Sequence, residues 1–332
     1  MPDGLTLVTG SAGHLGEALV RALRAAGRPT RGVDLLGSAC TDVVGTITDP
    51  AVVERCMDGV VDVVHAATLH KPHVGTHSRQ QFVDTNITGT LHLLEAAVRA
   101  GVRSFVYTST TSAFGDALSP PAGAPAAWIT EDVVPLPKNI YGVTKVCAED
   151  LCQLAHRNQG LPVLVLRTSR FFLDVDDDPD RREAFSDTNL KVNEFLYRRL
   201  DIEDVVSAHL CALDRAPALG FGRYIITATT PLHPGDAEAL RRDAPSVVRR
   251  RVPGWEAIYA QLGWRMAPSI ERVYDNSRAR AALGWQPRHD FASVLARARD
   301  TGEYRSALAC EIGVKGYHPE GVYPFLPARP AG

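Results

Sequence analysis

The sequence predicts an α/β chain: a doubly wound parallel sheet, followed by a smaller C-terminal α/β region. Three observations carry this. Short apolar runs rich in β-branched residues alternate with segments of helical periodicity through the first 170 residues. A glycine turn joins the first such run to the first helix. No apolar run approaches the ~20 residues that a membrane span needs, so the apolar runs belong to a folded core. With 332 residues the chain suits one large domain or two smaller ones. The expected division is 1–170 as a dinucleotide-binding domain carrying the catalytic helix. Residues 171–332 form a substrate region, with 201–228 packing back on the first domain. With a net charge of −2, nothing in the bulk charge points to nucleic-acid or polyanion binding. The six cysteines are scattered without a C-x-x-C pair, and the chain opens straight into a strand with no signal-peptide pattern. Both features point to reduced thiols in the cytoplasm, with no membrane association.

Leu5–Thr9 reads as a buried strand, and Gly10-Ser11-Ala12-Gly13-His14-Leu15-Gly16 follows as G-x-x-G-x-x-G. Leu15, Leu19, Val20, Leu23 and Ala26 then fall at helical spacing until Gly27 and Pro29. Strand, glycine turn and helix N-terminus form the cradle that a dinucleotide pyrophosphate requires. A second strand, Thr30 to Val33, ends at Asp34, whose carboxylate suits the adenine ribose hydroxyls and repels a 2′-phosphate. The cofactor is therefore expected to be NAD rather than NADP.

A short strand near Asp42–Ile47 and a helix over 51–58 come next, then a buried strand from Val60 to His65 that runs into Ala66-Ala67-Thr68. Small residues at such a strand end let a cofactor lie against the backbone. The polar loop 69–80 holds His70, His73 and His77, but Pro72 and Gly75 break it and no Cys or carboxylate joins it. It reads as a loop over the site mouth, with no metal site. Residues 80–100 read as a long helix burying Phe82, Val83, Ile87, Leu91, Leu94 and Val98. Ser104–Thr108 is a strand running into Ser109-Thr110-Thr111-Ser112, and residues 115–130 read as a flap without regular structure. A helix from Tyr141 to about Asn158 and a strand from Leu161 to Thr168 complete the first region.

Beyond this the alternation weakens. Asp174, Asp176, Asp177, Asp178 and Asp180 suggest a solvated acidic loop; Pro179 and Phe185 stand where a calcium loop needs Gly and Glu. A helix from about Arg199 to Asp214, a strand from Tyr224 to Ala228, and helices over 236–262, 277–283 and 291–300 follow. The aromatic pairs around Tyr317 and Tyr323 read as an extended packed tail.

The chemistry is carried by Tyr141 and Lys145, which share one helix face at i and i+4. A free phenol titrates near ~10, and a neighbouring ammonium with a cationic nicotinamide favours its phenolate. Thr110, at the preceding strand end, is placed to hold the same substrate oxygen, with Ser109 and Thr111 flanking it. Together they form a proton relay beside a hydride acceptor.

The stretches TGSAGHLG, HAAT, DTNITGT, FVYTSTTSAFG, YGVTK, LRTS, LDIEDVVSAH and ARAALGWQP resemble those of the extended short-chain dehydrogenases/reductases, in particular the NAD-dependent epimerase/dehydratase group. The resemblance covers residues 5 to about 290 and is densest before 170. It implies a Rossmann-type fold, Thr110, Tyr141 and Lys145 as the catalytic set, and a homodimer through the helices at 80–100 and 141–158. It also implies cofactor contacts from Gly10, Gly13, His14, Leu15, Gly16, Asp34, Ile47, Ala66, Ala67, His70, Asn86, Thr108, Tyr141 and Lys145, His70 standing where related epimerases carry a Lys.

Departures from the group's pattern concern the substrate. Arg170 replaces an Asn, only 37 positions separate Arg167 from Asp204, and the GDG-x-x-x-RDF segment is missing. Thr46 and Phe114 replace an Asp and a Tyr. The shortened segment is similar to that of uronate dehydrogenases, which act on free sugar acids. Thr111 and Arg170, or Arg181 and Arg182, are candidates for the substrate; for Arg170 a salt bridge to the acidic loop is an equal reading. The expected activity is hydride transfer on a secondary alcohol or ketone of a sugar-like small molecule, with a nucleotide-sugar 4-epimerase as the alternative.

Overall fold

A computed structural model describes residues 4–176 and 178–315. Seven strands form one parallel sheet: β1 (Leu5–Thr9), β2 (Thr30–Asp34), β3 (Val43–Val44), β4 (Val60–His65), β5 (Ser104–Thr110), β7 (Val163–Thr168) and β8 (Phe221–Ile226). Their spatial order is β3-β2-β1-β4-β5-β7-β8, a doubly wound sheet whose order reverses between β1 and β4. At such a switch point the connections leave in opposite directions, and a crevice opens beyond the carboxyl ends of the strands. Two short strands, β6 (Ala127–Ile129) and β9 (Arg272–Tyr274), pair apart from this sheet.

The central strands β1, β4, β5 and β7 are largely apolar on both faces because both are covered, and their alternation sorts the core. Leu7, Val63, Phe105, Val163 and Val165 face the helices Pro50–Met57, Gly89–Arg99 and Ile140–Gln159. Val8, Val64, Val106, Leu164 and Leu166 face the helices His14–Ala25 and Ile202–Leu219. Leu19 and Leu23 are fully buried there, each stabilising the fold by roughly 1.5–3 kcal/mol.

Several elements differ from expectation. Residues 115–130 are not wholly irregular, since β6 pairs in parallel with β9, Ala127 opposite Arg272 and Ile129 opposite Tyr274. Residues Arg79 to Arg99 do form a continuous helix, but a π-helical turn at Asp84–Thr88 inserts one residue. The buried face rotates accordingly to Thr90, Leu93, Leu94 and Ala97, and Leu91 faces out. The helix at 202 runs on to Leu219, past Pro217, and the strand that follows it begins earlier, at Phe221. Residues 236–262 divide into three helices, Ala237–Arg242, Ala244–Arg251 and Trp255–Leu262. The acidic stretch is not wholly solvated: it contains a helix, Pro179–Ala184, and Asp176 is buried. Helices Asp187–Glu194 and Ala307–Ile312 were not expected. Asp177 and the aromatic tail around Tyr317 and Tyr323 lie outside the described residues.

A buried ionic knot binds the last strands to the sheet. Glu149 accepts from Arg167 Nη2 at 2.7 Å and from Ser109 Oγ at 2.6 Å, and Arg223 Nε lies 3.2 Å away. It thereby ties the helix Ile140–Gln159 to β5, β7 and β8. Removing one partner strands a buried guanidinium, so Glu149→Ala should lower stability by about 3–5 kcal/mol in denaturant unfolding. A loss under about 1 kcal/mol would mean that the knot is solvated.

Candidate active site

The site begins at the glycine turn. Gly10 has φ +74°, and a Cβ there would lie 2.9 Å from the Ala67 backbone, so only glycine lets β1 turn beside β4. A Cβ on Gly16 would lie 1.8 Å from the Gly10 carbonyl oxygen, which fixes how closely the first helix meets the turn. Asp34 closes the other side: its carboxylate accepts from the Ala12 and Leu36 amides, both at 3.0 Å. Two hydrogen bonds leave acceptor capacity for further donors.

The end of β4 is held by a relay of side chains. Thr90 donates to the Asn86 carbonyl (2.7 Å), so its oxygen accepts from His65 Nε2 (2.9 Å), and His65 Nδ1 accepts from Thr9 (2.7 Å). The Thr9 oxygen in turn accepts the amides of Ala66 and Ala67, both at 3.1 Å. Burial keeps His65 neutral, far below its usual titration range. Asn86, in the π-helical turn, accepts from the Leu69 amide (2.8 Å) and donates to Leu69 O (3.1 Å) and Thr144 Oγ1 (3.0 Å). That locks the strand exit to the helix carrying Tyr141.

From the glycine turn a cleft of about 500 Å³ runs across the strand ends. Gly10, Gly13, His14, Leu15, Gly16, Ala66, His70, Thr108, Thr110, Thr111, Tyr141, Lys145 and Arg170 line it, which brings most of the expected site residues together. Ile47, Ala67 and Asn86 are not on its wall. Ile47 packs under Gly89, Ala67 abuts Gly10, and Asn86 works from behind as described. Asp34 is likewise off the wall, acting through Ala12 and Leu36, which line it.

Asn139 caps the helix Ile140–Gln159 through the Gly142 amide (3.1 Å), placing Tyr141 in its first turn and Lys145 one turn on. Tyr141 is buried, and the His70 ring meets it edge-on with centroids 5.1 Å apart. His70 also meets Phe172 (4.6 Å), which stacks on Phe171 (4.3 Å), and His14 packs against both phenylalanines. Lys145 Nζ donates to the Thr108 carbonyl at 2.7 Å and lies 4.2 Å from the Tyr107 ring centre. Burial pulls its pKa down to about 7, against the raising effect of Glu149. The Thr108 hydroxyl donates to His209 Nε2 (2.9 Å), because His209 Nδ1 gives its proton to the Val205 carbonyl (2.8 Å). Thr110 Oγ1 accepts the Ser112 amide (3.0 Å), leaving its own hydrogen to donate.

The three histidines of the 70–77 loop contact one another in sequence. His70 faces Tyr141, while His73 Nδ1 accepts the His70 amide at 2.8 Å and its ring packs on His77. Among the described residues no group of three His, Cys, Asp or Glu is placed to hold a metal ion. Two substrate candidates also change. Arg182 is exposed, donates to the Asp176 carbonyl at 2.5 Å and does not line the cleft. Arg170 lines it and also pairs with buried Asp176 and, at 3.3 Å, with Glu194, so it makes the expected salt bridge from a position on the cleft wall. Arg198 and Arg272, which sequence reasoning missed, line the same end.

A glycine turn at the switch point of a doubly wound sheet, leading to a Tyr–Lys helix, defines a dinucleotide-dependent enzyme. Residues 6–226 match the model of the NAD dependent epimerase/dehydratase family, and the chain belongs to that family. It is 29% identical to a dTDP-glucose 4,6-dehydratase of Streptomyces antibioticus, over 89% of this chain and 91% of that one. It is 30% identical to sterol demethylase protein B of Methylococcus capsulatus, over 67% and 69%. Among solved structures, a short-chain dehydrogenase/reductase superfamily protein of Agrobacterium tumefaciens with bound NAD superposes with a TM-score of 0.63 at 25% identity, covering 92% of this chain and 99% of that one. NAD is the cofactor, and the wall fits it: the first amides of the helix at His14 lack intrahelical acceptors and open beside Gly13.

The buried histidines set an acid limit. Burial lowers His14 and His209 to about 4 and His70 to about 3. Between the unfolded value near ~6.5 and those values the unfolded chain binds more protons, so stability should fall as pH drops through this window. Urea unfolding from about pH 7 to 4 should show this slope, and His209→Asn should flatten it; an unchanged slope in the variant would remove His209 from the account.

Proposed function

We propose that the protein is an NAD-dependent dehydrogenase that oxidises a secondary alcohol of a sugar-like small molecule and releases NADH. The observation that carries this reading is the buried Tyr141 at the cleft wall, with the Lys145 ammonium one turn along the same helix. In this reading Gly13, His14 and Gly16 cradle the pyrophosphate, Asp34 faces the adenine ribose, and Lys145 holds the nicotinamide ribose. NAD, when bound, supplies the carbon that accepts the hydride. Tyr141 takes the hydroxyl proton, and Lys145 favours its phenolate. Thr110 donates its free hydrogen to the same oxygen. His70 and Phe172 keep water from the phenol. Residues 1–170 hold the cofactor, and 171–332 supply the substrate end.

The likeness to a dTDP-glucose 4,6-dehydratase favours a second reading, a nucleotide-sugar enzyme that retains NAD. The short interval from Arg167 to Asp204 favours the first. Tyr141→Phe should lower kcat roughly 10²–10⁴-fold while NAD affinity holds. NADH formation across sugar acids, sugars and nucleotide sugars provides the measurement, and an unchanged rate in the variant would remove Tyr141 from the mechanism.

The dimer reading rests on apolar surface. Val143 (43% exposed), Leu154 (40%) and Leu91 (37%) sit on the helices 140–159 and 89–99. Val143, Cys147 and Leu154 recur on one helix face at helical spacing. We propose that a second copy covers this face, in a cytoplasmic protein whose six cysteines are unpaired. Light scattering should give twice the chain mass, and Leu154→Glu should shift it to one chain; a wild-type monomer would refute the dimer.

A further inference from the structure

Beyond Tyr141 the cleft ends among basic side chains. Lys138, Arg170, Arg198 and Arg272 line this end, and Asp174 is the one carboxylate on the wall among the described residues. Most of these cations are committed. Lys138 pairs with Asp116 at 3.1 Å. Arg170, Arg181, Arg198 and Arg199 share two buried carboxylates, Asp176 and Glu194. Arg181 Nη1 is 3.2 Å from Glu194, Arg199 Nε is 2.9 Å from it, and Arg198 Nη2 is 3.7 Å from Asp176. Four guanidiniums on two carboxylates leave this wall with excess positive charge.

Arg272 differs from all of them. Among the described residues its side chain has neither an ion pair nor a hydrogen bond, and its buried Nε has no partner. Its backbone is not loose. Arg272 opens β9, opposite Ala127 of β6, and the Tyr274 amide two residues on donates to the Tyr197 carbonyl at 3.0 Å. A buried guanidinium N–H is unfavourable without an acceptor. The half-buried Arg272 side chain lines the cleft together with Arg170 and Arg198.

We propose that Arg272 is the anion anchor of the substrate end, giving its unpartnered N–H groups to a carboxylate or phosphate oxygen of the substrate. The substrate class is thereby a sugar-like alcohol that carries an oxyanion. A planar guanidinium on a pinned strand suits the two-oxygen face of either group. The neighbouring Asp176–Glu194 cluster adds attraction without having to surrender its own pairs. The inference rests on the dehydrogenase reading for its direction of substrate entry.

The test is calorimetric titration of the full chain at saturating NAD with three probes: D-glucuronate for the carboxylate, UDP for the phosphate and D-glucose as the neutral control. The expected result is binding of one anion, weakened roughly tenfold or more in Arg272→Met and less in Arg272→Lys. NAD affinity, unchanged in both variants, reports that they fold; if Arg272→Met does not, Arg272→Lys decides alone. Which anion binds distinguishes a sugar acid from a phosphorylated substrate. Binding of neither anion, or equal anion affinity in wild type and folded variants, overturns the proposal while leaving Tyr141 and NAD untouched. Failure of the wild type to bind NAD would overturn the cofactor site itself, and this inference with it.

Discussion

Much of the site depends on a buried lysine ammonium that makes no ion pair among the described residues. Lys145 Nζ is held by the Thr108 carbonyl and the face of Tyr107. Such a charge is unfavourable in an apolar setting, which is why its pKa is drawn to about 7. Everything around it is arranged to keep that position fixed. His209 clamps the Thr108 hydroxyl from the helix Ile202–Leu219, and Glu149, one turn further along, ties the Lys145 helix to β5, β7 and β8. The sheet thus holds a cation one turn from a buried phenol, beside the carboxyl end of β5.

The cleft that results has two unlike ends. Near the glycine turn it is built of backbone and small residues, shaped by contacts that a single Cβ on Gly10 or Gly16 would break. Past Tyr141 it is built of long side chains whose positions depend on one another. Asp176 and Glu194 hold four arginines, and the rings of His14, His70, Phe171 and Phe172 pack on one another along the same cleft wall. A backbone-built end suits an invariant cofactor. A side-chain-built end is where substrate choice is made, because replacing one side chain there changes charge without moving the sheet.

The two ends also differ in how far the sequence reveals them. β1, β4, β5 and β7 were legible because each is a short, largely apolar run buried along most of its length, and the glycine turn and Tyr141–Lys145 spacing are local patterns. The π-helical turn at Asp84–Thr88 was not, because one inserted residue leaves composition unchanged while rotating every later side chain by about 100°. β6 and β9 are three residues each, too short for periodicity, and they pair across more than a hundred positions. The burial of Asp176 was hidden for a related reason: its partners Arg198 and Arg181 lie on other elements. Arg272 left one faint signal, a lone cation beside Val273 and Tyr274 in a strand-like stretch.

The central claim is that the cleft exchanges its cofactor at every turnover, as a dehydrogenase does, rather than cycling one retained molecule. The most direct measurement is the nucleotide content of the purified protein, released by denaturation and quantified as NAD and NADH per chain, followed by reversible binding of added NAD. The account predicts little retained nucleotide and rapid exchange. Near-stoichiometric NAD that survives purification would contradict it and mark an enzyme that returns the hydride to its own substrate.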